Sequence, residues 1–254
     1  MNNFIYHNPT KLVFGKGQIA RLPKLIPAGK RIMLTFGGGS VKRNGVYDQV
    51  VAALEGRDLV EFWGIEANPS VETLRKAIAL GKERKVDFLL AVGGGSVIDS
   101  CKAIAYGLAE PEHDVWELYA GQRKAKACFP VASVLTIAAA GSEMSNSCVI
   151  TNTDTEEKRA YNDDLVRPKF AIMDPELTMT LPDYQTEAGC ADIMMHTMER
   201  YFVNSGTMEL TDALAEGLLR TVMHNAEVLH TDPRNYDARA EVMWASSLAH
   251  NGLT

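Results

Sequence analysis

The sequence runs to 254 residues, 46% of them hydrophobic, with a formal net charge of −6; this is an ordinary globular composition with enough apolar mass for a sizeable core. The acidic balance and the lack of a basic stripe exclude a protein that works by neutralising a phosphate backbone, so no nucleic-acid partner is expected. No apolar run approaches the roughly 18 residues that cross a bilayer, and Met1-Asn2-Asn3-Phe4 lacks the charged-then-apolar pattern of a secretory leader, so the expectation is a cytoplasmic protein with no membrane partner.

From the N-terminus to about residue 175, short apolar runs ending in glycine alternate with segments of helical period, the pattern of a parallel sheet wrapped by helices. The clearest strands are expected at 31–36, 87–92, 132–137 and 169–173. Each ends at a loop that could carry function, because open α/β sheets bind ligands beyond the carboxyl ends of their strands.

Two of these ends share one string, Gly37-Gly38-Gly39-Ser40 and Gly93-Gly94-Gly95-Ser96. Glycines let a backbone approach a pyrophosphate without a Cβ in the way, a serine hydroxyl adds a hydrogen bond, and a following helix offers free N–H groups. A tight strand-to-helix turn needs only one or two glycines, so three in a row, twice, favour nucleotide binding. Neither string is Gly-x-Gly-x-x-Gly, which disfavours an ordinary Rossmann dehydrogenase. No acid lies between Arg31 and Tyr47 to meet a ribose 2′-hydroxyl, and Ser40, Lys42 and Arg43 leave room for a 2′-phosphate; NADP(H) is therefore expected over NAD(H).

Asp99 follows the second turn closely enough either to cap a helix dipole or to contact a ribose or amide, and spacing leaves both open. The segment Thr136-Ile137-Ala138-Ala139-Ala140-Gly141-Ser142-Glu143 again puts small residues and hydroxyls at a strand end, where it could wrap a cofactor. Cys101, Cys128, Cys148 and Cys190 are widely spaced among apolar neighbours and read as reduced thiols.

After Asp174-Pro175 the texture becomes helical. An amphipathic helix is expected over 207–229 with Leu210, Leu214, Leu218 and Val222 on one face, broken at Asp232-Pro233-Arg234-Asn235 before another from Tyr236. Earlier, Asp192 and His196 stand four apart in a helical pattern and so on one face, where both can reach one divalent ion; N/O ligation suits Fe2+ or Zn2+, while an exposed Asp-His pair is the plainer alternative. A catalytic ion needs about three protein donors plus an open position. His250 is the remaining histidine on a later helix that could face the site, with solvent or interhelix packing the other expectation.

Taken together the segments resemble the iron-containing alcohol dehydrogenase family, and within it the NAD(P)H-dependent butanol dehydrogenase and aldehyde reductase branch. The likeness runs through Asn8-Pro9-Thr10-Lys11, Phe14-Gly15-Lys16-Gly17, both Gly-Gly-Gly-Ser turns, Asn68-Pro69, Gly141-Ser142-Glu143-Met144, Arg167-Pro168-Lys169-Phe170, Asp174-Pro175, Ala191-Asp192-Ile193-Met194 with His196-Thr197, and Met243-Trp244-Ala245-Ser246-Ser247-Leu248.

The resemblance implies an α/β protein of dehydroquinate-synthase-like fold: a parallel-sheet dinucleotide-binding domain over 1–180, then an incomplete all-helical metal-binding domain over 181–254. It implies cofactor contacts at Gly38 and Ser40 on the adenosine side and at Gly94, Gly95, Ser96 and Asp99 on the pyrophosphate and nicotinamide side. Asn68, Thr136, Lys158 and Leu177 would complete the site, and Asp192 and His196 would be both catalytic and the first two metal ligands. Ala140 departs from the pattern, which often has threonine there. Family members continue past Leu253 to two more histidine ligands, so a fragment or truncated product is expected. The activity implied is hydride transfer between NAD(P)H and a small aldehyde or primary alcohol such as butanal or butanol, in a homodimer. A catalytically silent dinucleotide-binding fragment is the alternative, and a lyase or sugar-phosphate enzyme of the related fold a third.

Overall fold

The computed structural model describes residues 3–203 and 206–253. Strand β1 (Lys11–Phe14) is followed by α1 (Leu22–Leu25), β2 (Arg31–Phe36), α2 (Ser40–Arg43), α3 (Val46–Ala53), β3 (Asp58–Phe62), α4 (Val71–Glu83), β4 (Phe88–Gly93) and α5 (Gly95–Ala109). Then come α6 (Trp116–Tyr119), β5 (Val131–Leu135), β6 (Ser147–Asn152), β7 (Glu157–Asn162) and β8 (Phe170–Met173). Three long helices close the chain: α7 (Asp183–Tyr201), α8 (Glu209–Thr231) and α9 (Tyr236–Leu248).

Six strands form one parallel sheet in the order β1-β8-β5-β4-β2-β3, matching the expected fold class. Its centre is covered on both faces, which is why β4 (Phe-Leu-Leu-Ala-Val-Gly) is buried throughout and shows no polar alternation. Side chains still alternate between two cores: Ile32, Leu34 and Phe36 pack with α3, while Met33, Leu89 and Ala91 pack with α4 and α5. Helix ends follow local chemistry, as where Ser70 Oγ accepts from Thr73 N at 3.3 Å to start α4 and Asn235 Oδ1 accepts from Ala238 N at 3.1 Å to start α9.

Some expectations need correction. The strands read at 87–92 and 132–137 sit at Phe88–Gly93 and Val131–Leu135. In α8 Leu218 and Val222 are buried, but Leu210 and Leu214 are exposed; the helix packs on α7 and α9, and these two leucines lie off the covered face. The antiparallel pair β6–β7 was not anticipated; β7 (Glu-Lys-Arg-Ala-Tyr-Asn) has no apolar run. All four cysteines are free. Among the described residues no helix is long and apolar enough to cross a membrane.

Candidate functional site

From β2 the chain moves outward to β3, then crosses back to place β4 on the other side of β2. The crevice beyond the ends of β2 and β4 is thus a topological switch point, where open parallel sheets bind ligands, and the two glycine turns flank it. In the first, Gly38 is exposed, Gly39 adopts a left-handed φ of 94° and exposed Ser40 opens the single turn α2. In the second, Gly94 precedes the fifteen-residue α5, which no side chain caps; the free N–H groups of its first turn carry partial positive charge toward the crevice.

The other cofactor candidates surround these turns. Thr136 N donates to Gly93 O at 3.1 Å, tying the 136–143 segment to the second turn. Asn68, at φ 55°, accepts from Lys158 Nζ at 2.7 Å, so β7 is joined to the loop after β3. Leu177 lines a cleft of about 140 Å³ with Asn44, Val46 and Thr180, just past the first turn.

Asp99 is already committed inside the protein: Oδ1 accepts from Ser142 Oγ at 2.5 Å and Oδ2 from Val149 N at 2.9 Å. One helical turn on, fully buried Lys102 directs its Nζ at the carbonyls of Ser142 (2.8 Å), Ser145 (3.0 Å) and Ser147 (2.7 Å). Burial pushes the Asp99 carboxyl up and the Lys102 ammonium down, while each charge draws its partner back. The sequence signal for this pair is a lysine amid Cys101, Ala103 and Ile104 three residues after an acid. Glu61, at the carboxyl end of β3 beside the first turn, has both carboxylate oxygens engaged by Tyr47 OH and Trp63 Nε1.

On α7, His196 Nε2 lies 3.7 Å from Asp192 Oδ1, with side-chain exposures of 25% and 44%, so the expected one-face pairing is present. The ring of His196 stacks on His250 with centroids 4.8 Å apart. His250 Nδ1 donates to Ala140 O at 2.7 Å, and burial drives its pKa down to about 4. His250 thus lies just past the end of α9 rather than on a helix, packed between His196 and the 136–143 segment.

Two glycines let the helices reach the 136–143 segment. A Cβ on Gly189 would collide with Ala138 O, and one on Gly141, at φ 67°, would lie 2.5 Å from Ser246 O. The segment thus joins the second glycine turn to the Asp192–His196 pair. Among the described residues no three His, Cys, Asp or Glu side chains stand close enough to hold a metal. The carboxylate and imidazole suit Fe2+ or Zn2+ chemically, but two donors fall short of a complete site.

Residues 9–175 match the model of the iron-containing alcohol dehydrogenases, and residues 186–254 match the C-terminal model of Fe-containing alcohol dehydrogenases. The chain belongs to the iron-containing alcohol dehydrogenase family. Within this family it is 46% identical to the probable NADH-dependent butanol dehydrogenase 1 of Bacillus subtilis and 47% identical to the NADPH-dependent aldehyde reductase YqhD of Escherichia coli, in each case over 100% of this chain and 66% of the relative. The crystal structure of Escherichia coli YqhD superposes with a TM-score of 0.96 at 46% identity, covering 99% of this chain and 65% of that one. NADH-dependent butanol dehydrogenase A of Thermotoga maritima also gives 0.96, at 42% identity, covering 100% of this chain and 64% of that one. The chain therefore spans about two thirds of the length of these relatives.

Proposed function

We propose that this chain takes part in hydride transfer between NAD(P)H, with NADP(H) favoured over NAD(H), and a small aldehyde or primary alcohol such as butanal or butanol. The supporting observation is the switch-point crevice flanked by two glycine turns and linked through 136–143 to Asp192 and His196. The named activities of family members at 46–47% identity agree with it. Residues 1–180 would form the dinucleotide-binding part and 181–254 the metal-holding part, in a cytoplasmic homodimer.

In this reading Gly38, Ser40 and the uncapped start of α5, through Gly94, Gly95 and Ser96, hold the phosphates. Asn68, Thr136, Lys158 and Leu177 line the rest of the cofactor. Asp99 acts from beneath, fixing Ser142 and β6 rather than offering free oxygens. Asp192 and His196 supply two donors toward Fe2+ or Zn2+; when bound, such an ion polarises a substrate carbonyl. The chain's own task is orientation, holding a nicotinamide ring over the 136–143 segment.

The lack of a third metal donor among the described residues favours a second reading, a dinucleotide binder without turnover. The test is reduction of butanal by NADPH with added Fe2+ or Zn2+. Turnover abolished by Asp192→Ala supports the first reading; cofactor binding without metal uptake supports the second; absence of dinucleotide binding rejects both.

A further inference from the structure

Beside the first glycine turn, three aromatic rings form a shelf. Trp63 stacks on Phe36 with centroids 4.1 Å apart, and Tyr47 closes the third side at 5.6 Å from Phe36 and 5.5 Å from Trp63. The shelf is held against the turn by the backbone, since Ile65 N donates to Phe36 O and Gly64 N to Gly37 O. It is locked from the side by Glu61, which accepts from Tyr47 OH through Oε1 and from Trp63 Nε1 through Oε2, each at 2.7 Å.

One ammonium rests on this shelf. Lys42 Nζ lies 4.2 Å from the Trp63 ring centroid and 5.1 Å from that of Tyr47. Lys42 itself is exposed. A cation over aromatic faces is held in place while its charge stays available, since a π-face orients an ammonium without neutralising it. Rotamer freedom that a free lysine stem would lose on binding an anion is already spent.

The position of the shelf says which anion it would meet. A dinucleotide laid across the switch point puts its pyrophosphate between the ends of β2 and β4. Its nicotinamide then points toward β5 and the Asp192–His196 pair, and its adenosine ribose toward β3, where the shelf lies. We infer that Lys42 reads the ribose 2′-phosphate of NADP(H) and that Trp63 and Tyr47 are positioning residues that aim it. The inference rests on the proposed NADP(H) preference. An ammonium acts on a phosphate as a point charge, so its placement decides its effect.

The test is calorimetric titration of the protein and its variants with NADPH, NADH, 2′-AMP and 5′-AMP. The wild type should bind NADPH more tightly than NADH. Lys42→Gln and Lys42→Ala should each weaken NADPH and 2′-AMP by roughly tenfold or more while leaving NADH and 5′-AMP within about twofold. Trp63→Leu should lose part of the same discrimination, Trp63→Phe should restore it, and Arg43→Ala should change it little. A wild type that prefers NADH overturns both the cofactor preference and the inference. A wild type that prefers NADPH, with Lys42→Gln unchanged, overturns the inference alone. Equal weakening of NADPH and NADH, or an Arg43→Ala effect matching that of Lys42→Gln, also overturns it, because general electrostatics then accounts for the binding.

Discussion

A Cβ added at Gly94 would strike Ile137 Cγ2 and one at Gly93 would come within 2.6 Å of Val97 Cγ2, whereas at Gly38 or Gly39 it would meet nothing within 4 Å. The same four residues thus meet different demands in the two turns. In the second, glycine is required at Gly93 and Gly94 because α5 and the 136–143 segment press on them, and Lys102 and Asp99 bind the helix to that segment from below. In the first, the space over the turn is open, Gly39 alone needs a left-handed backbone, and the surroundings are the exposed Ser40 and Lys42. A glycine string therefore identifies a place on the sheet, and its neighbours decide whether packing or ligand access maintains it.

Substitutions can break this contrast. The largest effect is expected for Lys102→Met, which leaves Asp99 buried without its counter-charge and should lower stability by about 3–5 kcal/mol in urea unfolding; a loss below about 1 kcal/mol would mean the buried pair does not anchor α5. Gly94→Ala should cost about 1–3 kcal/mol through overpacking against Ile137. By contrast Gly38→Ala should change stability by less than about 0.5 kcal/mol yet weaken NADPH binding in the same titrations. If Gly38→Ala unfolds the protein as readily as Gly94→Ala, the two turns are equivalent and the contrast fails.

Much of this contrast was invisible in sequence. Strands β2 and β4 were legible because burial on both faces makes them continuous apolar runs, but β3 (Asp-Leu-Val-Glu-Phe) is short and interrupted by Asp58 and Glu61, as suits its place at the edge of the sheet. Spacing sufficed to pair Asp192 with His196, since four residues on a helix fix a shared face. It could not reveal that His250, more than fifty residues later, stacks on His196, or that Glu61 ties Trp63 to Tyr47, because packing between elements sets those contacts. The leucine stripe of α8 was misjudged for the same reason: periodicity shows a face, and only the neighbours show which of its residues are covered.

The smallest expected effect concerns pH. Glu66 lies in the loop that lays Trp63 along the first turn. Burial alone would raise its carboxyl, but hydrogen bonds from Ser70 and Thr73 outweigh this and hold it below its ordinary value. A carboxyl lowered on folding stabilises fully above its unfolded pKa, and that contribution is lost as pH falls through the lowered value. Glu66→Gln should therefore flatten the acid arm of the stability–pH profile by about 1 kcal/mol or less. An unchanged arm would show that this loop does not depend on the charge.

Backbone meets backbone where Gly189 faces Ala138 and Gly141 faces Ser246. There the helices and the strand loop share one seam, and neither can tilt without dragging the other.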